Sequence, residues 1–285
     1  MSTAHWQCRD RILDLGTPVV MGVLNVTPDS FSDGGKFLAR DAALEQARRM
    51  ISEGAVIIDI GGESTRPGAA PAETAEELSR VIPIVETLRR EFAATYISVD
   101  TSKAEVMRTA IAAGADIIND VRALMEPGAL SVAAASGAGV CLMHMKGEPR
   151  TMQDAPTYDD AVGEVSAFLA ERIAAARAAG IDAARICVDP GFGFGKRTRD
   201  NLALLKHLGD MSSLGVALAV GLSRKSMLAK LTGRALDDRL AGSVALAAIA
   251  VLNGARIVRA HDVAATVDAV RVAAAVAQGA DFDAS

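Results

Sequence analysis

The sequence predicts an α/β protein built as one closed (β/α)8 barrel. Three observations carry that expectation. Short apolar runs recur along the chain, and each leads through a polar or Gly-rich cluster into an Ala/Leu/Glu/Arg segment of helical pattern. There are eight such runs, each of four to seven mostly β-branched or Leu residues, the pattern of strands buried on both faces. In 285 residues this gives roughly one unit per 36 residues, a length that suits a βα unit and favours closure over an open sheet.

The elements follow in order. Residues 1–16 carry no unit of the repeat and read as a short lead-in, leaving 17–280 as a single domain. The strand runs are Val19–Asn25, Val56–Gly61, Tyr96–Asp100, Asp116–Asp120, Val140–His144, Ile186–Asp189, Val216–Gly221 and Ile257–His261. Helical spacing fills the intervals, as in Ala42–Ser52, Glu73–Glu91, Lys103–Ala113, Tyr158–Ala179 and Asp262–Val276. A further Ala-rich helix, Asp238–Leu252, has few charges after Arg239 and is a candidate interface for a second copy. Alternation of this kind implies a parallel sheet, and no Pro/Ser linker divides the chain.

Composition narrows the function. With 50% hydrophobic and 23% charged residues the chain has ample apolar surface to fold. A net charge of −5 has the wrong sign for a general nucleic-acid partner. Cys8, Cys141 and Cys187 fit neither a disulfide framework nor a zinc spacing. The first residues lack the apolar core of a signal peptide, and Ala241–Leu252 is too short to cross a bilayer. A soluble, cytoplasmic protein with no membrane partner is expected.

The active site of such a barrel sits at the C-terminal ends of its strands. Two populations of residues gather at those exits. Arg66, Lys196, Arg224, Lys225, Arg259 and His261 make the mouth cationic on an anionic protein, which points to a phosphate or diphosphate ligand. Asp100, Asn119 and Asp189 end three central strands as short acceptors suited to the NH edge of a flat heterocycle. Arg259 and His261, two apart, face the same side. The run Gly191–Lys196 has the spacing of neither a dinucleotide nor a P-loop fingerprint. Asp262 reads as a helix N-cap; His144 ends its strand between two methionines, a setting open to core packing, and is left out of the site.

Taken together, Asn25–Gly35, Gly61–Gly68, Asp189–Lys196 and Ser223–Ser226 resemble the signatures of the dihydropteroate synthase family, and the likeness runs from about Val20 to Val270. The resemblance implies a TIM barrel, a homodimer and a step of folate biosynthesis that sulfonamides inhibit. The reaction it implies joins 6-hydroxymethyl-7,8-dihydropterin diphosphate to 4-aminobenzoate, giving 7,8-dihydropteroate and diphosphate. By motif, Asp100, Asn119, Met143, Asp189 and Lys225 would hold the pterin. Asn25, Thr65, Arg259 and His261 would hold the diphosphate, with Asn25 also contacting Mg²⁺. Arg66, Pro67, Phe194 and Ser226 would shape the aminobenzoate pocket. Lys225, Asp33 and Arg259 would act at the reacting centre, Asp33 by stabilising a cation or orienting the amine. The loops Asn25–Gly35 and Glu63–Ala72 would close over it. One departure stands out: Val121-Arg122-Ala123 follows Asp120 where many relatives have Ser-Gly. Two other readings share the pterin acceptors. A folate:corrinoid methyltransferase-like barrel would not need Arg66, Arg259, His261 or the Ser-Arg-Lys-Ser run, and a non-catalytic pterin-binding paralogue would show eroded loops.

Overall fold

The chain enters through an antiparallel hairpin, β1 (His5–Cys8) and β2 (Arg11–Asp14), paired from His5↔Asp14 to Cys8↔Arg11. The computed structural model describes residues 4–27, 36–64, 72–148, 152 and 156–279, and side chains from residue 40 onward in the helix that starts at Lys36. Alternation sets the hairpin's two faces: Trp6 and Cys8 are buried, while His5 and Gln7 are exposed.

Eight parallel strands follow and close on themselves in the order β10-β3-β4-β5-β6-β7-β8-β9. They are β3 (Val19–Asn25), β4 (Ile57–Gly61), β5 (Tyr96–Asp100), β6 (Ile117–Asp120), β7 (Gly139–Met143), β8 (Ile186–Asp189), β9 (Ala217–Gly221) and β10 (Ile257–Ala260). Every one lies within a residue of the run the sequence predicts. The return connections carry α1 (Lys36–Ser52), α2 (Thr74–Glu91), α3 (Ala104–Ala113), α4 (Ala129–Ser136), α5 (Ala161–Ala178), α6 (Thr198–Lys206), α7 (Ser226–Thr232), α8 (Leu240–Leu252) and α9 (Val263–Gln278). The sequence predicts eight helical segments. Nine α-helices occur among the described residues, because α7 and α8 share the connection between β9 and β10. None of them is long and apolar enough to cross a membrane.

Two apolar clusters hold this architecture. The larger lies between strands and helices, where Ile58, Ile60, Ile97, Val99, Ile118, Val188 and Val258 meet Val81, Ile84, Leu88, Val106, Leu169 and Ala250. The smaller fills the barrel's lower interior. There Met21, Ile57, Tyr96, Ile117, Cys141, Cys187, Ala217 and Ile257 pack on Trp6, Cys8, Leu13 and Leu15 of the hairpin. The lead-in thus plugs the end of the barrel opposite the strand exits. Trp6 donates its indole N–H to the Arg185 carbonyl at 2.9 Å, so its one polar atom is satisfied in the dry floor. Gly139 makes room for it, since a Cβ there would lie 2.8 Å from Cys8 Sγ and 3.1 Å from the indole ring. Arg11 ties the hairpin's rim to Asp116 at 3.5 Å and lies 3.9 Å over the Tyr96 ring.

With the floor closed and the helices outside, the strand exits are the end left for chemistry. Register sets their relative heights: Asn25 pairs with Gly61, Gly61 with Asp100 and Asp100 with Asn119, while Met143 pairs with Asp189.

Candidate active site

At the exits the inward positions turn from apolar to polar. Asp59, two residues below Gly61 on β4, is fully buried and organises one half of the site. Its Oδ2 accepts from Arg259 Nε at 2.6 Å and from Asn119 Nδ2 at 3.0 Å, and its Oδ1 accepts from Ser98 Oγ at 2.6 Å. Arg259 also donates from Nη2 to Asp100 Oδ2 at 2.9 Å. One network therefore joins β4, β5, β6 and β10. A carboxylate only accepts, so Asp59 fixes the Asn119 amide with its NH2 inward and leaves the amide oxygen as the free acceptor. Asn25 flanks this half across Gly61, where an added Cβ would lie 3.7 Å from Asn25 Oδ1 and 3.7 Å from Asp100 Cβ.

The other half comes from β7, β8 and the turn after β9. Asp189 accepts from the Gly191 N–H at 2.7 Å. Lys225, half-buried at the start of α7, holds its Nζ 4.2 Å from the centre of the Phe194 ring. Met143, buried beside Asp189 in the register, gives this half an apolar contact. Ser226 is the exposed first residue of α7. His261 meets Ser223 Oγ through both its main-chain N–H, at 3.2 Å, and its Nδ1, at 3.1 Å.

Burial and neighbouring charges tune these groups. Loss of solvent pushes the Asp100 carboxyl up to about 7, against the pull of Arg259. Asp189 is likewise raised by burial, against the Gly191 N–H and Lys225. Lys225 falls to about 8 through burial and repulsion from Arg259. Burial opposes the charge on Arg259, but Asp59 and Asp100 outweigh it and keep the guanidinium firmly protonated. His261 drops to about 4 through burial and the nearby Arg259, Arg224 and Lys225, so it is neutral at pH 7. Carboxylates and cations thus face each other without full pairing, an arrangement that suits a polar ligand.

Several expectations need correcting. Lys196 is not a cation of the mouth: it is 3% exposed and its Nζ points at the carbonyls of Gly191 and Phe194. Arg224 is not free for an anion either, because Asp262 holds it through two hydrogen bonds, of 2.9 and 2.5 Å. Asp262 stands before α9 but makes no side-chain cap bond; it is the partner of Arg224. Asp33, Thr65, Arg66 and Pro67 lie outside the described residues. Among the described residues, no group of three or more His, Cys, Asp or Glu side chains could hold a metal ion.

Sequence reasoning missed Asp59, Ser98 and Lys103. Asp59 interrupts an apolar strand and shares a face with Gly61, a signal that was present in the run Val56–Gly61. Lys103 bridges Glu63, at the root of the loop after β4, to Glu77 Oε2 of α2. A cavity of about 470 Å³ opens along this bridge and reaches Asp100, adjoining the Asp59 network from the α3 side.

Comparison with known proteins bears on this site directly. The model of the family described as pterin binding enzyme matches residues 21–261, a span that starts in β3 and ends at His261. The dihydropteroate synthase of Escherichia coli (strain K12) is 54% identical over 260 residues, covering 91% of this chain and 92% of that one. The chain belongs to the dihydropteroate synthase family. The Haemophilus influenzae member is 51% identical over 92% of this chain and 95% of its own. Among solved members, the Yersinia pestis enzyme in a sulfonamide complex superposes with a TM-score of 0.91 at 50% identity, over 97% of this chain and 100% of that one. The Xanthomonas albilineans enzyme in complex with 7,8-dihydropteroate gives 0.88 at 51% identity, with the same two coverages. The family's matched span excludes the hairpin that plugs the floor and includes every proposed site residue.

Proposed function

We propose that this chain condenses 6-hydroxymethyl-7,8-dihydropterin diphosphate with 4-aminobenzoate, releasing diphosphate. The observation that carries the reading is the polar network of Asp59, Asp100, Asn119 and Arg259 facing Asp189 and Lys225 across one barrel mouth. Relatives solved with 4-aminobenzoate and with 7,8-dihydropteroate support it.

In this reading Asp100 and Asp189 accept from the pterin's ring and amino N–H groups, and the Asn119 amide oxygen, freed by Asp59, accepts another. Lys225 donates to a ring acceptor, and Met143 packs on the ring face. Arg259, shared between Asp59 and Asp100, presents its remaining N–H groups to the diphosphate beside Asn25, Thr65 and neutral His261. Phe194 and Ser226 flank the aminobenzoate with Arg66 and Pro67. α7 has only seven residues, so the Ser226 hydroxyl rather than a helix dipole meets the carboxylate.

The reaction breaks the bond from the exocyclic methylene carbon to the diphosphate oxygen and forms one from that carbon to the arylamine nitrogen, which gives its proton to solvent. A weakly nucleophilic amine and a delocalised pterin cation favour an SN1-like course. The protein contributes positioning and charge rather than proton transfer. Asp33 would face the cation. The described donor set fits a Mg²⁺ carried in by the diphosphate, with the Asn25 amide as its protein oxygen, rather than a resident ion. When bound, the ion neutralises charge on the leaving group.

A homodimer is part of the proposal. Leu240, Ile249 and Leu252 of α8 and Val272 and Val276 of α9 are exposed on two helices that pack together. Light scattering should give twice the chain mass.

Purified protein with Mg²⁺ should release diphosphate only when both substrates are present. Full-rate release with the pterin substrate alone would overturn coupled transfer. Lys225→Ala should reduce turnover by about 10³-fold while the protein still folds, because burial disfavours that cation. Sulfonamides should compete with 4-aminobenzoate.

A further inference from the structure

Lys196 is a buried amine that the reaction above does not use; burial pushes its pKa down to about 7, against the pull of Asp189. Its Nζ lies 2.8 Å from the Gly191 carbonyl, 3.0 Å from that of Phe194, 3.3 Å from that of His144 and 2.8 Å from His144 Nδ1. In its ammonium form Lys196 can only donate, which requires His144 Nδ1 to be unprotonated and its proton to sit on Nε2. Burial and the adjacent Lys196 hold that ring neutral, at about 3. Its plane meets Phe168 edge-on with centroids 4.9 Å apart.

The turn around Lys196 is built to supply these acceptors. Gly191, Gly193 and Gly195 all have positive φ, of 69°, 83° and 63°. At Gly191 and Gly195 a Cβ would collide with the carbonyls of His144 and Lys146, so the turn lies flat against the segment after β7. Gly191's carbonyl accepts the Phe194 N–H as well as Lys196. Tyr158 donates to the Gly195 carbonyl at 2.9 Å, and Asn201 accepts the Gly193 N–H at 2.8 Å. A Gly-rich phosphate loop points N–H groups at an anion. This one has the opposite polarity and wraps carbonyls around its own lysine. The other face of the turn fronts the site. Gly193 is bare where a Cβ would lie 3.1 Å from Lys225 Cδ, and the Phe194 ring lies under Lys225 Nζ.

We propose that Lys196 is a positioning residue for the second substrate: seated in a cradle of carbonyls and the His144 ring, it locks the Gly191–Gly195 turn so that Phe194 stays against Lys225. This rests on the reading of Phe194 as a wall of the aminobenzoate pocket. In this reading Lys196 touches neither substrate, and the negative field of Asp189 and Asp200 opposes, without cancelling, burial and the repulsion from Lys225.

Three measurements test this. Nitrogen NMR of His144 in the wild-type protein without substrates, at pH 6 where Lys196 is an ammonium and the ring is neutral, should show the Nε2–H tautomer. Nδ1–H instead would overturn the cradle whatever the protein catalyses. Lys196→Met, similar in length but without donors, should raise KM for 4-aminobenzoate by roughly ten-fold, while the Kd for pterin diphosphate by calorimetry stays within about three-fold. Equal loss of both affinities, or an unchanged KM, would overturn the positioning role. Phe194→Ala guards against a misfolded Lys196 variant. It should reproduce the KM effect, and it should leave Lys196→Met little further effect on KM when the two are combined. A Phe194→Ala protein with wild-type KM, or effects that multiply, would also overturn it. Wild-type protein that makes no dihydropteroate, with the tautomer as expected, would fault the functional reading and leave the cradle standing.

Discussion

The two ends of this barrel are built from the same strands, yet they behave as different materials. At the floor the inward side chains are Ile57, Tyr96, Ile117, Cys187 and Ile257, sealed by Trp6 and Leu15. Two residues further along the strands the same face carries Asp59, Ser98, Asn119, Asp189 and Arg259. The lower half is apolar and closed, with the Trp6 N–H satisfied. The upper half holds charges partly withdrawn from solvent and incompletely paired, as the raised Asp100 and lowered Lys225 record. Cohesion and reactivity are therefore separated along the strand axis, and each end can be altered with limited consequence for the other.

Asp59 sits on the boundary, so changing it should do most. Asp59→Ala strands Arg259, Asn119 and Ser98 together, and a loss of about 3–5 kcal/mol of stability is expected along with collapse of pterin binding. Chemical denaturation and calorimetry would check both. A stable variant that still binds pterin would remove Asp59 from its central place.

Trp6→Ala tests the floor alone. The cavity should cost about 3–5 kcal/mol in denaturant unfolding, while kcat per folded molecule stays unchanged. A changed kcat at matched folded fraction would break the division between the two ends.

Asp100→Asn tests the mouth alone, and a fall of roughly ten- to a hundred-fold in pterin affinity is expected. The pH dependence sharpens it. Unfolded, this carboxyl has an ordinary pKa of 3.8; folded, it holds its proton to about 7. As pH rises between those values the unfolded chain loses the proton first, so the group costs stability, in full above 7. The ligand's N–H donors need the ionised form. Wild-type pterin affinity should therefore climb from pH 6 to 8, and the variant's should not.

The smallest effect is expected at Asp262→Asn. The pair with Arg224 is partly exposed, and losing its charge should raise KM for the pterin substrate about two- to three-fold in steady-state assays.

The strands were readable because burial on both faces leaves continuous apolar runs bounded by Gly, Asp and Asn. Their exits were readable for the same reason: a polar residue just after such a run has few reasons to be there. What the sequence could not show is pairing. Lys196 and Arg224 have the right charge for an anion site, but one is turned onto main-chain carbonyls and the other onto Asp262. Both outcomes depend on left-handed backbone, at Gly191 and at Arg224 with φ 57°, which one-dimensional spacing does not encode. Asp59 escaped notice because it lies inside a strand, where an acid reads as an interruption rather than as the hub of four strands. The hairpin escaped because an alternation only four residues long, in His5–Cys8, is too brief to weigh against a lead-in.

That hairpin carries a consequence for biosynthesis. Trp6 bonds to Arg185, 179 positions away, in a chamber that exists only after the ring of strands has closed. The hairpin precedes the strands that form its seat, so it is among the last elements to dock, and the Trp6 indole has no floor to enter until the ring has closed. A bulky fusion at the amino end should slow maturation far more than one at the carboxyl end.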